Sequence, residues 1–183
     1  MVIKEAKLDG VLVIEPKIFR DTRGFFLESF NNKRYSEIGI YKEFVQDNLS
    51  FSYRNVLRGL HFQNPVAQAK LVSVIKGEVF DVIVDIRQGS PTFGSWEGFI
   101  LSEENKRQVY IPEGFAHGFV VLSDEAYFYY KCSEYYSPQN EHCIRWDDPD
   151  ININWKIDNP IISNKDLNGI YLKELKTPEI FNY

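Results

Sequence analysis

Residues 57–70, LRGLHFQNPVAQAK, gather Arg58, His61 and Lys70 among apolar and aromatic neighbours. The segment directly behind them, LVSVIKGEVFDVIVDI (71–86), is strand-like, so the ionisable groups are expected to project from a rigid sheet. A histidine held on a strand with two cations nearby is poised for proton transfer on an anionic substrate. The same histidine, hydrogen-bonded inside a sheet, would be inert, and the rest of the chain has to decide between the two. A second source of proton-transfer groups is YFYYKCSEYY (127–136), whose five tyrosines cannot all do chemistry, since most must simply pack. Tyr130 and Tyr136 stay open as rival acids. Cys132 and Cys143 match no common zinc spacing, and two free thiols in a reducing cytosol is the expected state.

The elements that must position these groups read as strands. Phe and Tyr are abundant, at 14 and 11 residues, which favours sheets over helical bundles. The 183 residues suit one domain, 1–183, able to bury a core without staples. A net charge of −5 without a basic run argues against nucleic acid and anionic membranes, so an anionic ligand must be caught by locally placed cations. No apolar run reaches membrane-spanning length, and the reading is a soluble, cytoplasmic protein. Along the chain, 2–15 alternates around an Asp9-Gly10 turn, and Arg20 and Arg23 flank a turn at Gly24. Residues 31–38 make the best helix, with Asn31 as cap and Gly39 as stop. In 44–53, Gln46, Asn48 and Ser50 share one face, which is either exposed or turned into a polar cavity. In 79–86 both faces are apolar, so the strand should be covered on both sides. Phe26, Phe62 and Phe119 read as core, and His142 as solvated. WDDPDININW (146–155) reads as a structured loop, and 161–183 as offering at most a short helix. Many short strands with turn signals about every eight to twelve residues indicate an all-β sandwich or barrel.

IPEGFAHG (111–118) resembles the second signature of the cupin jelly roll, P-x-G-x-x-H. The first cupin signature, H-x-H with a following glutamate, is absent, because His61 is followed by Phe62 and Gln63. With three histidines in the chain, no metal is expected. Taken with RDTRGFFLESF, FVQDNLSFS, VLRGLHFQ, QAKLV, GEVFDVIVDIR, YKCSEYY, WDDPDININW and ISNKDLN, the chain resembles a metal-free cupin branch, the dTDP-4-dehydrorhamnose 3,5-epimerases, over roughly residues 10–168. The resemblance implies a cupin-like jelly roll with a few short helices, no cofactor, and a dTDP-4-keto-6-deoxy-hexose substrate. It implies His61 as general base, Asp166 as its orienting acid, Tyr130 as general acid, and Lys70 and Arg58 as substrate-contacting cations, with His117 near the sugar. Arg23, Glu28, Gln46, Asp47 and Asn48 fall at nucleotide-binding positions, Glu141 and Lys165 at further binding positions, and Tyr136 lines the sugar or rivals Tyr130. It also implies a homodimer exchanging amino-terminal strands.

The chemistry asks for such residues independently. In a 4-keto sugar C3 and C5 both flank the carbonyl, so an enzymatic base can remove either proton. Epimerisation then needs an acid on the opposite ring face and a charge at the developing enolate oxygen. A histidine backed by a carboxylate, a tyrosine and a lysine fill those roles without a cofactor. Relatives that epimerise only C3 or only C5 share the same residues, so a single-centre epimerase of another deoxysugar is the alternative. Two further classes remain: a cupin metal oxygenase, and a nucleotide-sugar-binding module with no turnover.

Overall fold

From Val79 to Asp85 both faces of the strand carry apolar side chains, with Asp81 and Asp85 interrupting one of them, and the strand is buried along almost its whole length. The structure, a computed structural model, describes residues 1–176 and 180–183. The chain runs through β1 (Val2–Glu5), β2 (Leu12–Glu15), β3 (Ile18–Asp21), β4 (Gly24–Leu27), α1 (Asn32–Ser36), β5 (Gln46–Tyr53), β6 (Val56–Gln63), β7 (Lys70–Lys76) and β8 (Glu78–Asp85). It continues with β9 (Arg87–Gln88), β10 (Trp96–Ser102), β11 (Gln108–Ile111), β12 (Phe115–Val121), β13 (Glu125–Cys132) and β14 (Glu141–Cys143). The tail holds β15 (Ile161–Ile162), α2 (Asn164–Leu167) and β16 (Phe181–Asn182).

Two sheets face each other, with strand orders β1-β2-β11-β7-β13-β5 and β10-β8-β12-β6-β14, and β15 joins the second alongside β6. This is the expected jelly-roll sandwich. Val72, Val74, Val109 and Phe128 of the first sheet meet Val79, Ile83, Phe119 and Val121 of the second in the central core. The outer face of the second sheet (Phe80, Val82, Val84) is covered by Ile151 and Trp155 of the 146–155 loop and by Leu172. The strand with two apolar faces is therefore sandwiched, as its pattern requires. On the first sheet, Tyr35 and Ile40 cover Ile14, Leu71 and Tyr110.

Several expectations are corrected. The helix is shorter than 31–38, although Asn31 does cap it, its Oδ1 accepting from the Arg34 amide at 3.3 Å, and Gly39 sits at φ 92° just beyond it. The tail forms two short strands besides α2, because β15 pairs in parallel with β6 and β16 with β9; residues 177–179 lie outside the described residues. Phe26 is 67% exposed rather than core, on a β3–β4 hairpin that belongs to neither large sheet. His142 is tied down, its Nε2 lying 2.9 Å from the Asn64 carbonyl and its ring against Phe62.

Candidate active site

Strand β6 carries the histidine, and a local irregularity aims it. His61 stands opposite His117 of β12 while Arg58 stands opposite Phe119, with a register shift between them. The shift puts Arg58 and His61, an odd number of residues apart, on the same inward face; bulges re-aim side chains in this way. The irregularity centres on Gly59, whose φ is 119° and whose Cα has no room for a side chain, since a Cβ there would lie 2.6 Å from Gly118 Cα. On the other edge of β6, Cys143 of β14 pairs directly with His61, and Glu141 with Gln63.

Behind His61 stands α2. Ser163 caps this helix, its Oγ accepting from the Asp166 amide at 3.1 Å, and the carboxylate of Asp166 is thereby fixed. His61 Nε2 lies 2.7 Å from Asp166 Oδ1, and Asp166 Oδ2 accepts the Gly59 amide at 3.3 Å. Burial works to raise the Asp166 pKa, but the hydrogen bond and charge of His61, the Gly59 amide and Lys165 outweigh it and hold it below the ordinary aspartate value. With Nε2 committed to Asp166, Nδ1 is the ring nitrogen left for a substrate. His117 makes a second pair of the same kind, its Nε2 lying 2.7 Å from Asp81 Oδ1.

The facing sheet supplies the rest. Lys70 of β7, Cys132 and Tyr130 of β13, and Gln46 and Asn48 of β5 fall in register and point inward together. Two adjoining lobes of about 280 Å³ and 250 Å³ open between the sheets, and His61, Lys70, Tyr130, Tyr136 and Glu141 line both. Gln46 and Asn48 line the first lobe; Arg58, His117 and Ser50 line the second. Burial pushes the Tyr130 hydroxyl up to about 12, reinforced by Cys132 and Glu141, so it holds its proton at any working pH. Burial lowers the Lys70 pKa from its ordinary value, while Cys132, Glu141 and Asp81 pull it back. Tyr136 stands at the rim, half exposed, and donates its hydroxyl to Glu141 Oε2 at 2.7 Å. Lys165 bonds the same Glu141 oxygen. Burial pushes the Cys143 thiol up to about 12, with the Asp166 charge adding to it.

Residues 5–174 match the family described as dTDP-4-dehydrorhamnose 3,5-epimerase. The chain belongs to that family. It is 58% identical to the dTDP-4-dehydrorhamnose 3,5-epimerase of Shigella flexneri over 92% of this chain and 94% of that protein. The protein of the same name from Methanothermobacter thermautotrophicus is 53% identical, over 93% of this chain and 94% of its own. Among solved structures, the dTDP-6-deoxy-D-glucose-3,5-epimerase of Legionella pneumophila in complex with dTDP-4-keto-L-rhamnose superposes with a TM-score of 0.97 at 53% identity, covering 100% of this chain and 98% of that one.

Within this epimerase fold, the residues expected to act together mostly do lie together. His61, Lys70, Tyr130, Arg58, His117, Gln46, Asn48, Tyr136 and Glu141 line the cavity, and Asp166 and Lys165 stand directly behind it. Three are not brought there within one chain. Arg23 sits at the tip of the β3–β4 hairpin, its side chain 88% exposed and paired with Asp21 at 2.6 Å. Glu28 pairs with Arg34 at 3.1 Å beside a different hollow. Asp47 points outward to Lys131 at 2.6 Å. Sequence reasoning missed Asp81, although a carboxylate inside the apolar run VFDVIVDI must find a partner or a function when buried. Oδ2 of Asp81 and Oγ of Ser50 are buried without a hydrogen-bond partner among the described residues. A cupin-type metal site uniting His61 and His117 does not fit, since their Nε2 atoms turn apart to different aspartates, Asp166 and Asp81.

Proposed function

We propose that the chain inverts C3 and C5 of dTDP-4-dehydro-6-deoxy-D-glucose to give dTDP-4-dehydro-L-rhamnose, as one domain spanning residues 1–183 and without a cofactor. One observation carries the reading: an aspartate-backed histidine, a half-buried phenol and a half-buried ammonium line a single cavity. His61 takes a proton from a carbon next to the keto group, and Asp166 stabilises the imidazolium that forms. Lys70 offsets the charge that develops on the C4 oxygen, where a preorganised cation is worth most. Tyr130 returns a proton from the opposite face. Its hydroxyl suits this better than that of Tyr136, which is already donated to Glu141. Arg58 is held by Ser52 Oγ at 3.0 Å and suits the diphosphate, with Gln46 and Asn48 toward the nucleoside.

A second copy completes the site. Leu49, Phe51 and Tyr53 face outward from the edge strand β5, joined by Tyr127 and Ile75, and exposed apolar faces of this kind mark interfaces. The β3–β4 hairpin stands apart from both sheets and exposes Phe19, Phe25 and Phe26. Exchange of these amino-terminal strands between protomers carries Arg23 and Glu28 to the partner's cavity. A cytoplasmic location fits the two unpaired thiols; among the described residues no helix is long and apolar enough to cross a membrane. The test is incubation with the 4-keto nucleotide sugar in heavy water, with exchange read carbon by carbon by NMR. Deuterium is expected at C3 and C5, and its incorporation is expected to vanish in a folded His61→Ala variant. Deuterium at one carbon alone indicates the single-centre epimerase, and none at either carbon defeats the proposal.

A further inference from the structure

Cys143 has no part in the proton transfers above, yet it occupies the position directly across from His61 on the neighbouring strand. Cross-strand partners hold their side chains side by side. Its Sγ lies 3.9 Å from Asp166 Oδ1, the oxygen that His61 Nε2 approaches to 2.7 Å. Ligand atoms of His61, Cys143 and Asp166 all fall within 4.8 Å of one another, the one such set of three among the described residues. Nitrogen, sulfur and oxygen from these three side chains make a borderline-soft donor set of the sort that Zn²⁺ prefers, with hard Mg²⁺ and Ca²⁺ disfavoured. We propose that His61, Cys143 and Asp166 form a capture site for Zn²⁺ that competes with catalysis by taking both members of the His–Asp pair.

The three donor atoms reach a metal-binding arrangement by shifts of about an ångström. Bonds of about 2.0 Å to nitrogen and oxygen and about 2.3 Å to sulfur place tetrahedral ligands roughly 3.3–3.6 Å apart. His61 and Asp166 must part by about half an ångström, the thiol must close on Asp166 by a similar amount, and the imidazole nitrogen and the sulfur, which start within 4.8 Å of each other, must close by up to about 1.3 Å. The frame that holds them is firm: Asp166 is anchored by the Gly59 amide and the Ser163 cap, and Cys143 by its ladder position. A water molecule would complete the tetrahedron. On binding, the thiol passes its proton to solvent and the carboxylate gives up its contact with the imidazole, so the ring loses the partner that orients it. Zinc is here an inhibitor, distinct from the metal a cupin oxygenase would use. The inhibitory consequence rests on the reading of His61 and Asp166 as the proton-transfer pair; the binding itself does not.

The test uses the full chain freed of metal. Zn²⁺ is titrated in competition with a chromophoric chelator, and Co²⁺ replaces it for absorption spectroscopy, with Cys143→Ser and Cys143→Ala as variants whose fold is checked by circular dichroism. The expected result is one equivalent of Zn²⁺ per chain, bound at least tenfold more weakly by both variants. Co²⁺ should give a thiolate-to-cobalt charge-transfer band in the parent that both variants lack. With substrate, one equivalent of Zn²⁺ should suppress turnover and chelator should restore it. Equal zinc affinity in parent and variants, or bound Co²⁺ without the thiolate band, overturns the site. Neither readout needs turnover, so a chain that bound zinc as described but never exchanged C3 or C5 would overturn the epimerase reading and leave this one standing.

Discussion

Asp166→Asn separates the two things that the carboxylate does for His61. The side chain faces two donors in the parent: Oδ2 accepts the Gly59 amide at 3.3 Å, and Oδ1 meets His61 Nε2 at 2.7 Å. Asparagine has only one acceptor oxygen. If that oxygen stays with Gly59, the NH₂ group faces Nε2, which must then become the acceptor, and the imidazole proton moves to Nδ1, where it blocks the base. Turning the amide round restores the tautomer but sets NH₂ against the buried Gly59 N–H, at about 1–3 kcal/mol for an unsatisfied donor. The charged hydrogen bond to the imidazolium is lost either way, about 1.5–3 kcal/mol. Together these amount to roughly 2.5–6 kcal/mol, or about 10²–10⁴ in rate at 1.36 kcal/mol per factor of ten. Asp166→Ala imposes no tautomer and should lose only the second part, about 10–10². The assay is initial-rate deuterium exchange at C3 and C5, with circular dichroism confirming the fold. Asp166→Asn within tenfold of the parent, or clearly more active than Asp166→Ala, would refute the tautomer argument.

The basic limb of the kcat/KM profile should report Lys70 and not Tyr130. Burial lowers the Lys70 pKa, so rising pH strips its charge first, whereas the Tyr130 hydroxyl at about 12 is still protonated there. Lys70→Arg, which cannot deprotonate in this range, is expected to move that limb upward by at least about one pH unit; Tyr130→Phe should cut turnover by about 10²–10⁴ and leave the limb where it was. A limb that shifts only in Tyr130→Phe would reverse the assignment. Gly118→Ala would place a Cβ 2.6 Å from the Arg58 carbonyl oxygen and force β6 and β12 apart. Overpacking of this sort costs about 1–3 kcal/mol, which calorimetry should read as a Tm lower by roughly 2–12 °C, with a loss of turnover because His61 and His117 lie on the two strands; an unchanged Tm would contradict the close approach. Leu49→Glu with Phe51→Glu should weaken self-association by at least about 10⁴, since each change occurs twice in a symmetric dimer at about 1.5–3 kcal/mol per buried side chain. Sedimentation velocity decides this, and a parent that is monomeric at micromolar concentration would rule out the shared site.

What the sequence makes legible here is which residues share a face; what it hides is which face meets water. Alternation in β5 sets Gln46, Asn48 and Ser50 against Leu49, Phe51 and Tyr53, and ordinary burial logic would turn the second set inward. The fold does the opposite: the amides line the cavity, and Leu49 is 63% exposed. Phe26 misleads in the same way, since an apolar residue left exposed on a hairpin outside both sheets has the same composition signal as one in the core. The inversion is itself informative, because a strand that spends its apolar face on solvent needs a second surface to cover it. The cluster that lines the cavity shows the complementary limit. His61, Lys70 and Tyr130 were recoverable from residue type and from family motifs, but the contact of His61 with Asp166 bridges 105 positions and depends on β15 docking α2 behind Gly59, which no local periodicity encodes. Asp81 was open to discovery by a stricter rule: a carboxylate flanked on both sides by Val and Phe in a doubly covered strand must be paired, and a histidine on the adjacent strand is the partner that the sandwich supplies. Buried charge in an apolar run is thus a stronger pointer to a functional wall than any exposed cation, because folding tolerates it only where the geometry answers it.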